Sequence, residues 1–307
     1  IGKQMENNKE KIVITGGLGY IGTELCKLYS GETRYKNIIV IDNRFISERV
    51  KQLRDWGFNF IQGDILNESF IQSIVEDAVY HLAGITDVAY TKKEENGNSE
   101  QITKVGIEGS RNIIKHISAN CKILFPSTHV VYEGFKEAVH DIVEETPTCA
   151  ELTYSTGKVQ TELDLKSSNK NYVILRLASV YVARCFKFMA EQKHINKETY
   201  HLSQDNVTVK EVAELCKDIN SNLTLIETDD EIPNLGYTIS NKKLLSTSQA
   251  TSRQNLEKNE EALVTQEALT KQALQQAIES QDPTKQVEAQ QDLGKLAIAK
   301  ERLKLQK

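Results

Sequence analysis

The chain has 307 residues, enough for one large or two modest domains, and its 38 basic and 43 acidic side chains give a formal net charge of −5. A net charge this small and negative does not indicate the basic surface that a nucleic-acid partner would need. No run reaches the roughly 20 apolar residues that a membrane helix needs. No secretory signal pattern opens the sequence, and its five cysteines are scattered without CxxC spacing. These features predict a cytoplasmic protein with reduced thiols and no metal site.

From residue 11 to about 181, strand-like apolar runs alternate with helix-like segments. After a first short run at 12–15, further runs lie at 38–41, 58–61, 79–82, 123–125 and 173–177. Helical patterns lie between them, near 20–30, 46–56, 68–76, 99–118 and 151–168. This alternation predicts an α/β fold whose parallel sheet carries helices on both faces.

The first run leads into a glycine-rich turn, KIVITGGLGYIG at 11–22, before a helical pattern begins near Tyr20. A turn of this kind places backbone N–H groups and the positive end of a helix where a pyrophosphate can bind. Gly16 suits the tight turn, Gly19 lets a phosphate approach the backbone, and Gly22 lets the helix pack closely on the strand. Taken alone, the stretch is also compatible with an ordinary strand–turn–helix corner.

Asp42 closes the second strand, twenty residues after Gly22. A carboxylate at this place can accept hydrogen bonds from both ribose hydroxyls of an adenosine and repels a 2′-phosphate, which favours NAD over NADP. Arg44 argues the other way, because a nearby arginine can accommodate that phosphate. Asp64, after the third strand, can reach an adenine amino group or can be a simple turn residue.

The segment HLAG at 81–84 ends the fourth strand, and its small residues let a cofactor lie against the strand end. The predicted cofactor contacts are Gly16, Gly19, Tyr20, Ile21, Gly22, Asp42, Asn43, Asp64, Ile65, Leu82, Ala83, Gly84 and Lys158.

Tyr154 and Lys158 lie in the segment YSTGK, where a helix begins, and Thr128 lies just after the fifth strand. A spacing of four puts the tyrosine hydroxyl and the lysine ammonium on one helix face. The ammonium favours the phenolate and can lower a pKa of about 10 toward neutrality, and a positive nicotinamide ring would act in the same direction. Such a phenol is a candidate general base for a hydroxyl that loses hydride, although this spacing also occurs by chance in many helices.

Beyond residue 184 the pattern predicts helices at 185–192, 208–218 and 241–245 and strands at 200–202 and 223–227, with a capping box formed by Thr208 and Glu211. Residues 247–307 contain no aromatic residue and a single glycine. Asp282 and Pro283, an N-cap and a first helical residue, separate two amphipathic patterns there. We expect two long helices in an antiparallel hairpin, which are packing helices, an assembly device or a segment foreign to the upstream domain.

In their order along the chain, TGGLGYIG, VIDN, GDI, HLAG, STHVVY, YSTGK and LRLASVY resemble the extended short-chain dehydrogenase/reductase family, in its nucleotide-sugar epimerase and dehydratase branch. The resemblance covers 11–181. It implies a Rossmann-type doubly wound domain that binds NAD, a smaller C-terminal portion that closes over a nucleotide-diphosphate sugar, and a homodimer. It also implies that Tyr154 is the base, that Lys158 orients the cofactor ribose and tunes Tyr154, and that Thr128 hydrogen-bonds the reacting hydroxyl.

The chain departs from the family pattern at the substrate side. The dehydratases carry an Asp-Glu pair after the active Thr, where this chain has His129 and Val130, so dehydration is not expected. His129 either replaces that acid or is a structural histidine. Ser179 replaces an asparagine that commonly touches substrate in the family, and Thr86, His129 and Ser179 form the predicted substrate set. After Tyr181 the sequence lacks a long segment that the family normally has, so either the protein has lost substrate-binding elements or the sequence omits residues at this point.

We therefore expect an NAD-binding Rossmann domain over 5–181, a remnant of the substrate portion over 182–246 and an α-helical tail over 247–307. The favoured function is NAD-dependent epimerisation of a nucleotide-diphosphate sugar. One alternative is an NAD-dependent reductase or dehydrogenase of another small alcohol or ketone. A second alternative is a non-catalytic NAD-binding scaffold that assembles through 247–307.

Overall fold

The computed structural model describes residues 11–32, 37–74, 78–86, 99–178, 182–203, 206–226, 236–280 and 282–304. The chain divides into two compact units, Ile1–Asn241 and Lys242–Lys307. Within the described ranges, every helix is too short or too polar to cross a lipid bilayer.

In the described part of the first unit there are nine strands, seven of which form one parallel sheet in the order β3-β2-β1-β4-β5-β7-β8. The strands are β1 (Ile12–Thr15), β2 (Ile38–Asp42), β3 (Asn59–Gln62), β4 (Ala78–His81), β5 (Lys122–Thr128), β6 (Val139–Ile142), β7 (Asn171–Leu177), β8 (Glu198–Leu202) and β9 (Tyr237–Ile239). The strand order reverses between β1 and β4, which creates a crevice at the carboxyl ends of these strands. The predicted doubly wound parallel sheet is confirmed.

Helices flank this sheet and make the connections between its parallel strands. They are α1 (Tyr20–Ser30), α2 (Ser47–Asp55), α3 (Glu68–Ile74), α4 (Ser99–Thr103), α5 (Ser110–His116), α6 (Thr153–Ser167) and α7 (Ala183–Glu191). A further helix, α8 (Val209–Ile219), follows β8 and has no buried residue. Val13, Val79, Ile123 and Ile174, from the four central strands, belong to one buried cluster. Because both faces of the sheet are covered, these strands are continuous apolar runs in the sequence.

The helical pattern at 99–118 is interrupted in the structure. A π-helical turn, Lys104–Gly109, separates α4 from α5. Gly109 packs against the third strand–helix connection, since a Cβ on it would lie 2.6 Å from Cγ1 of Ile65.

The strand predicted at 223–227 is wrong over its described part, because residues 223–226 have no regular structure. Leu225 and Ile226 are exposed, and the run pairs with neither sheet among the described residues. Two parallel strands, β6 and β9, form a small second sheet that the sequence pattern did not predict. The helix at 208–218 is confirmed as α8, and the capping box of Thr208 and Glu211 is present.

The second unit is a pair of long helices, α9 (Lys242–Glu279) and α10 (Pro283–Lys304). They run antiparallel, as contacts of Glu267 with Lys300 and of Ala277 with Gln286 show. Oδ1 of Asp282 accepts the backbone N–H groups of Thr284 and Lys285, both at 3.1 Å, so the predicted cap of the second helix is confirmed. The helix expected at 241–245 is the first turn of α9.

Candidate active site

A cleft of about 1040 Å³ opens at the carboxyl ends of β1, β2, β4 and β5 and at the start of α1. Sixteen residues of the predicted site line it: Gly16, Gly19, Tyr20, Ile21, Gly22, Asp42, Asn43, Asp64, Ile65, Leu82, Ala83, Gly84, Thr86, Thr128, Tyr154 and Lys158. His129 is not among the lining residues, and Ser179 lies outside the described residues. The structure therefore brings together the residues expected to hold the cofactor and those expected to perform the chemistry.

The glycine-rich turn is shaped by close backbone contacts. Gly16 has a φ of +67°, and a Cβ on it would lie 2.7 Å from backbone atoms of Ala83 and Leu82. A Cβ on Gly22 would lie 2.6 Å from Cα of Gly17, so the helix crosses the turn at close range. Gly19 is different, because a Cβ on it would meet only the carbonyl oxygen of Gly16, at 3.1 Å. The turn thus leaves an open cradle before the first N–H groups of α1, which have no acceptor within the helix.

Asp42 ends β2 with its carboxylate buried and fixed. Oδ2 accepts the backbone N–H of Leu18 at 3.1 Å, and Oδ1 accepts the backbone N–H of Arg44 at 3.0 Å. The guanidinium of Arg44 also donates to both carboxylate oxygens, at 3.1 and 3.3 Å. This hydrogen-bonded carboxylate holds the pKa of Arg44 above its usual value. Arg44 itself lines the cleft and was not in the predicted set of cofactor contacts.

A buried hydrogen-bond chain fixes the end of β4, where Ala83 forms part of the cleft wall. The backbone N–H of Ala83 donates to Oγ1 of Thr15 at 3.2 Å, and Thr15 contacts Nδ1 of His81 at 2.9 Å. Nε2 of His81 lies 2.8 Å from the hydroxyl of Ser110, which itself donates to the carbonyl of Gly106. Because the Ser110 hydroxyl already donates its hydrogen to Gly106, it can only accept from His81. His81 therefore donates through Nε2 and accepts through Nδ1. Burial lowers the pKa of His81 to about 3, so the ring is neutral.

The YSTGK segment forms the first turns of α6 and faces the end of β5. Nζ of Lys158 donates to the carbonyl oxygen of Pro126 at 2.7 Å and lies 5.7 Å from the ring centroid of Tyr154. Oγ1 of Thr128 accepts the backbone N–H of Val130 at 3.2 Å, which caps a short 3₁₀ turn. Thr128, Tyr154 and Lys158 therefore all reach the cleft from neighbouring elements.

The pKa values of Tyr154 and Lys158 differ from those expected from their spacing alone. Burial raises the pKa of Tyr154 to about 12, where the lysine was expected to lower it. Burial lowers the pKa of Lys158 to about 8, against an opposing effect of the Glu162 carboxylate. In the protein without a cofactor, the loss of hydration therefore changes both pKa values more than the attraction between the phenolate and the ammonium does. The lowered phenol pKa expected beside a positive nicotinamide stays a prediction.

A buried ion pair supports the site from behind, and sequence reasoning missed it. Glu162, one turn after Lys158 on α6, accepts two hydrogen bonds from Arg176 of β7, at 2.9 and 2.7 Å. Its Oε1 also accepts the hydroxyl of Ser127 at 2.6 Å. Since Ser127 lies between Pro126 and Thr128, the pair fixes the register of α6 against the end of β5. In the sequence, Glu162 is recognisable four residues after Lys158, but its partner Arg176 lies on another element and cannot be identified from the spacing.

His129 packs away from the cleft against β9. The hydroxyl of Tyr237 donates to the carbonyl oxygen of His129 at 3.0 Å and lies 2.9 Å from its Nδ1. Burial lowers the pKa of the imidazole. These contacts support the structural interpretation of His129 and place its ring outside the cleft lining.

Comparison with known proteins decides the family. The model of the NAD dependent epimerase/dehydratase family matches residues 12–211. The chain belongs to this family. NAD is the cofactor of the family, as predicted from Asp42 and the glycine-rich turn.

Among curated relatives, CDP-paratose 2-epimerase of Salmonella typhi is 28% identical over 168 residues, which is 51% of this chain and 48% of that protein. UDP-glucose 4-epimerase of Mycoplasma genitalium is 28% identical over 171 residues, 53% of this chain and 49% of that protein. D-erythronate dehydrogenase of Haemophilus influenzae is 26% identical over 191 residues, 56% of this chain and 55% of that protein. The chain spans about half the length of the curated relatives it matches.

Solved structures share the fold at low sequence identity. A dTDP-glucose 4,6-dehydratase from Streptomyces venezuelae, with NAD bound, has a TM-score of 0.62 at 16% identity over 76% of this chain and 89% of that one. UDP-glucose 4-epimerase from Thermotoga maritima, with UDP-glucose, has a TM-score of 0.60 at 19% identity over 76% of this chain and 90% of that one.

The residues of the cleft fit the family's cofactor. Gly19 lines the cleft beside the N-terminus of α1, where a pyrophosphate would accept backbone N–H groups. The carboxylate of Asp42 stands at the end of β2, where an adenosine ribose would present its hydroxyls. Ala83, Gly84 and Tyr154 line the same cleft, on the side where the nicotinamide would lie.

Proposed function

We propose that the chain is an NAD-dependent epimerase of a nucleotide-diphosphate sugar, with Tyr154 as its general base. The observation that carries this proposal is the arrival of Thr128, Tyr154 and Lys158 in the same cleft as the glycine-rich turn and Asp42. The groups that would bind the cofactor and those that would move a proton therefore share one site. Hydride transfer to NAD requires this arrangement, because the substrate carbon has to lie beside the cofactor while its hydroxyl loses a proton.

Each residue has a role set by its position. Tyr154 removes the proton of a ring hydroxyl, and Thr128 holds that hydroxyl by a hydrogen bond. Lys158, fixed by the carbonyl of Pro126, keeps a positive charge beside the phenol and orients the cofactor ribose. Bound NAD supplies a reversible acceptor for the hydride of the adjacent carbon. The ketone that results in the sugar turns its other face before reduction, which inverts the centre, and Tyr154 returns the proton to the oxygen.

The test is a panel of UDP-, GDP- and dTDP-sugars incubated with the full chain and NAD and separated by anion-exchange chromatography. We expect one class of sugar to be interconverted by the wild type and Tyr154→Phe to lower the rate by at least 10³-fold. Tyr172→Phe, the same change on β7 and outside the cleft lining, is the matched control. The proposal fails if no sugar changes, or if Tyr154→Phe behaves like the wild type.

A second candidate is a dehydrogenase of another small alcohol or ketone. The resemblance to a D-erythronate dehydrogenase and the short connection from β7 to α7, residues 178–182, favour it. Less chain between these elements leaves less material to enclose a nucleotide-sugar. Net accumulation of NADH with substrate distinguishes this activity, because an epimerase regenerates its NAD in every turnover.

A further inference from the structure

One side chain, that of Glu133, joins the turn after Thr128 to the start of α6. The 3₁₀ turn His129–Tyr132 begins directly after Thr128, and Glu133 is the residue that ends it. A single carboxylate oxygen of Glu133, Oε1, accepts three hydrogen bonds from the start of α6. The donors are the backbone N–H groups of Glu151 and Leu152, both at 2.9 Å, and the hydroxyl of Ser155 at 2.5 Å.

The first turn of α6 depends on this carboxylate because its own capping position holds an apolar residue. Leu152 is the N-cap and makes no side-chain hydrogen bond to the helix. The first N–H groups of a helix have no acceptor within it, and a carboxylate is favoured at this end by the helix dipole. Ser155, which is completely buried, extends the contact into the helix itself. Glu133 therefore supplies from another element the cap that α6 lacks.

Backbone hydrogen bonds fix the same two segments only at a point before the helix. The N–H of Gly134 donates to the carbonyl oxygen of Cys149 at 2.7 Å, and the N–H of Cys149 donates to that of Val131 at 2.8 Å. Cys149 lies five residues before Tyr154, whereas the Glu133 contacts at Leu152 and Ser155 lie on both sides of Tyr154. The orientation of the turn that carries Tyr154 is thus set by a side chain.

Thr128 and Tyr154 reach the cleft from different elements, and the proposed reaction requires both to meet one substrate hydroxyl. A misplacement of about 1 Å between reacting groups can cost roughly 10²-fold in rate. Glu133 is outside the cleft lining, so its effect on the reaction has to pass through these two residues.

We propose that Glu133 is a positioning residue, whose carboxylate holds the first turn of α6 so that Tyr154 stays in register with Thr128. The catalytic part of this inference rests on the proposed function. The geometric part does not, and it can be measured without any substrate.

The kinetic test compares Glu133→Ala with Glu133→Gln in the full chain. Alanine removes the acceptor, whereas glutamine keeps an oxygen for the three donors. We expect Glu133→Ala to lower kcat at least tenfold while the dissociation constant of NAD, measured by calorimetry, stays within about twofold. Glu133→Gln should restore at least about a third of the wild-type kcat. Glu137→Ala is the matched control, because Glu137 is exposed on the same segment.

The substrate-independent test is NMR of the full chain with carbon-13 at the ζ-carbon of its tyrosine rings. The resonance of Tyr154 is the one that disappears in Tyr154→Phe. We expect this resonance to move in Glu133→Ala and to keep its wild-type position in Glu133→Gln and Glu137→Ala. If Glu133→Ala does not fold, Ser155→Ala removes one of the three donors and should move the same resonance.

An unmoved Tyr154 resonance in both Glu133→Ala and Ser155→Ala overturns the inference. A kcat and an NAD affinity that fall by equal factors in Glu133→Ala also overturn it, because they indicate a general loss of structure. Equal effects of alanine at Glu133 and at Glu137 do the same. If the wild type converts no sugar and forms no NADH, the proposed function fails, whereas a moved Tyr154 resonance still supports the role of Glu133 in holding α6.

Discussion

The ammonium of Lys158 donates a hydrogen bond to the carbonyl oxygen of Pro126 at 2.7 Å. This contact joins α6 to the end of β5 two residues before Thr128, and it fixes a cation behind the ring of Tyr154. Burial nevertheless lowers the pKa of the ammonium to about 8, so its charge is conditional on pH. The site therefore depends on a lysine that loses its proton in a range accessible to experiment.

Binding of NAD should weaken as the pH rises through about 8, because Lys158 is a cation below its pKa and neutral above it. Calorimetry with NAD from pH 6.5 to 9.5 measures this. Lys158→Met should bind NAD at least tenfold more weakly at pH 7 and lose the pH dependence. Lys115→Met, at an exposed lysine of α5 outside the cleft lining, is the control. An unchanged alkaline profile in Lys158→Met would contradict the role given to this ammonium.

His81 should make the fold sensitive to acid. In the folded chain its pKa is lowered to about 3, so below pH 6.5 the unfolded state binds a proton that the folded state excludes. The free energy of unfolding then falls as the pH drops, with a contribution of about 1.4 kcal/mol per pH unit from this residue. Urea unfolding between pH 5 and 6.5 should show a shallower slope for His81→Asn, which is less stable overall. Above pH 8, where an unfolded histidine is neutral, the slopes of the two proteins should coincide.

Gly57 and Gly16 both have a positive φ, and substitutions at these two positions distinguish the cost of backbone strain from the cost of steric overlap. Gly57 has a φ of +77° and open space where a Cβ would stand, whereas a Cβ on Gly16 would overlap the backbone of Ala83. Gly57→Ala should cost about 1 kcal/mol of unfolding free energy from strain alone. Gly16→Ala should cost clearly more and should also abolish NAD binding, because the turn has to move. Equal losses in the two variants would show that Gly16 has no tight contact with the end of β4.

The buried pair of Glu162 and Arg176 should be sensitive to the loss of one partner. Both side chains are almost fully buried, at 1% and 2% exposed. Arg176→Leu should lower the free energy of unfolding by about 3–5 kcal/mol, because it removes the buried cation of the Glu162 carboxylate and leaves only the partly exposed Lys166, at 3.2 Å, as a counter-charge. The double variant Glu162→Leu/Arg176→Leu should recover part of this loss. Arg111→Leu, which breaks an exposed pair, should cost at most about 1 kcal/mol.

The sheet was predictable because burial on both faces makes its strands continuous apolar runs, as at Ile12–Thr15 and Ile38–Asp42. The residues of the cleft were predictable because Gly16 and Asp42 occupy sequence positions that the strand–turn–helix geometry fixes. Both depend on order along the chain and on short-range spacing.

Other features depend on contacts between distant residues. The second sheet pairs Val139 with Tyr237, and neither strand has a pattern of its own. The chain of Thr15, His81 and Ser110 exists only because three elements meet. The raised pKa of Tyr154 follows from how deeply the folded chain buries the phenol, which spacing alone does not give. All of these features depend on tertiary contacts. The substrate side of the site depends on such contacts too, so the sequence pattern does not predict it.

The most direct test of the proposed reaction is epimerisation in D₂O, followed by NMR of the sugar at the inverted carbon. We predict a product with protium at that carbon, because a hydride that is removed and returned within the site does not exchange with solvent, and no product with Tyr154→Phe. Deuterium at the inverted carbon would show proton abstraction from carbon and would contradict the assignment of Tyr154 as the base of a hydride-transfer epimerase.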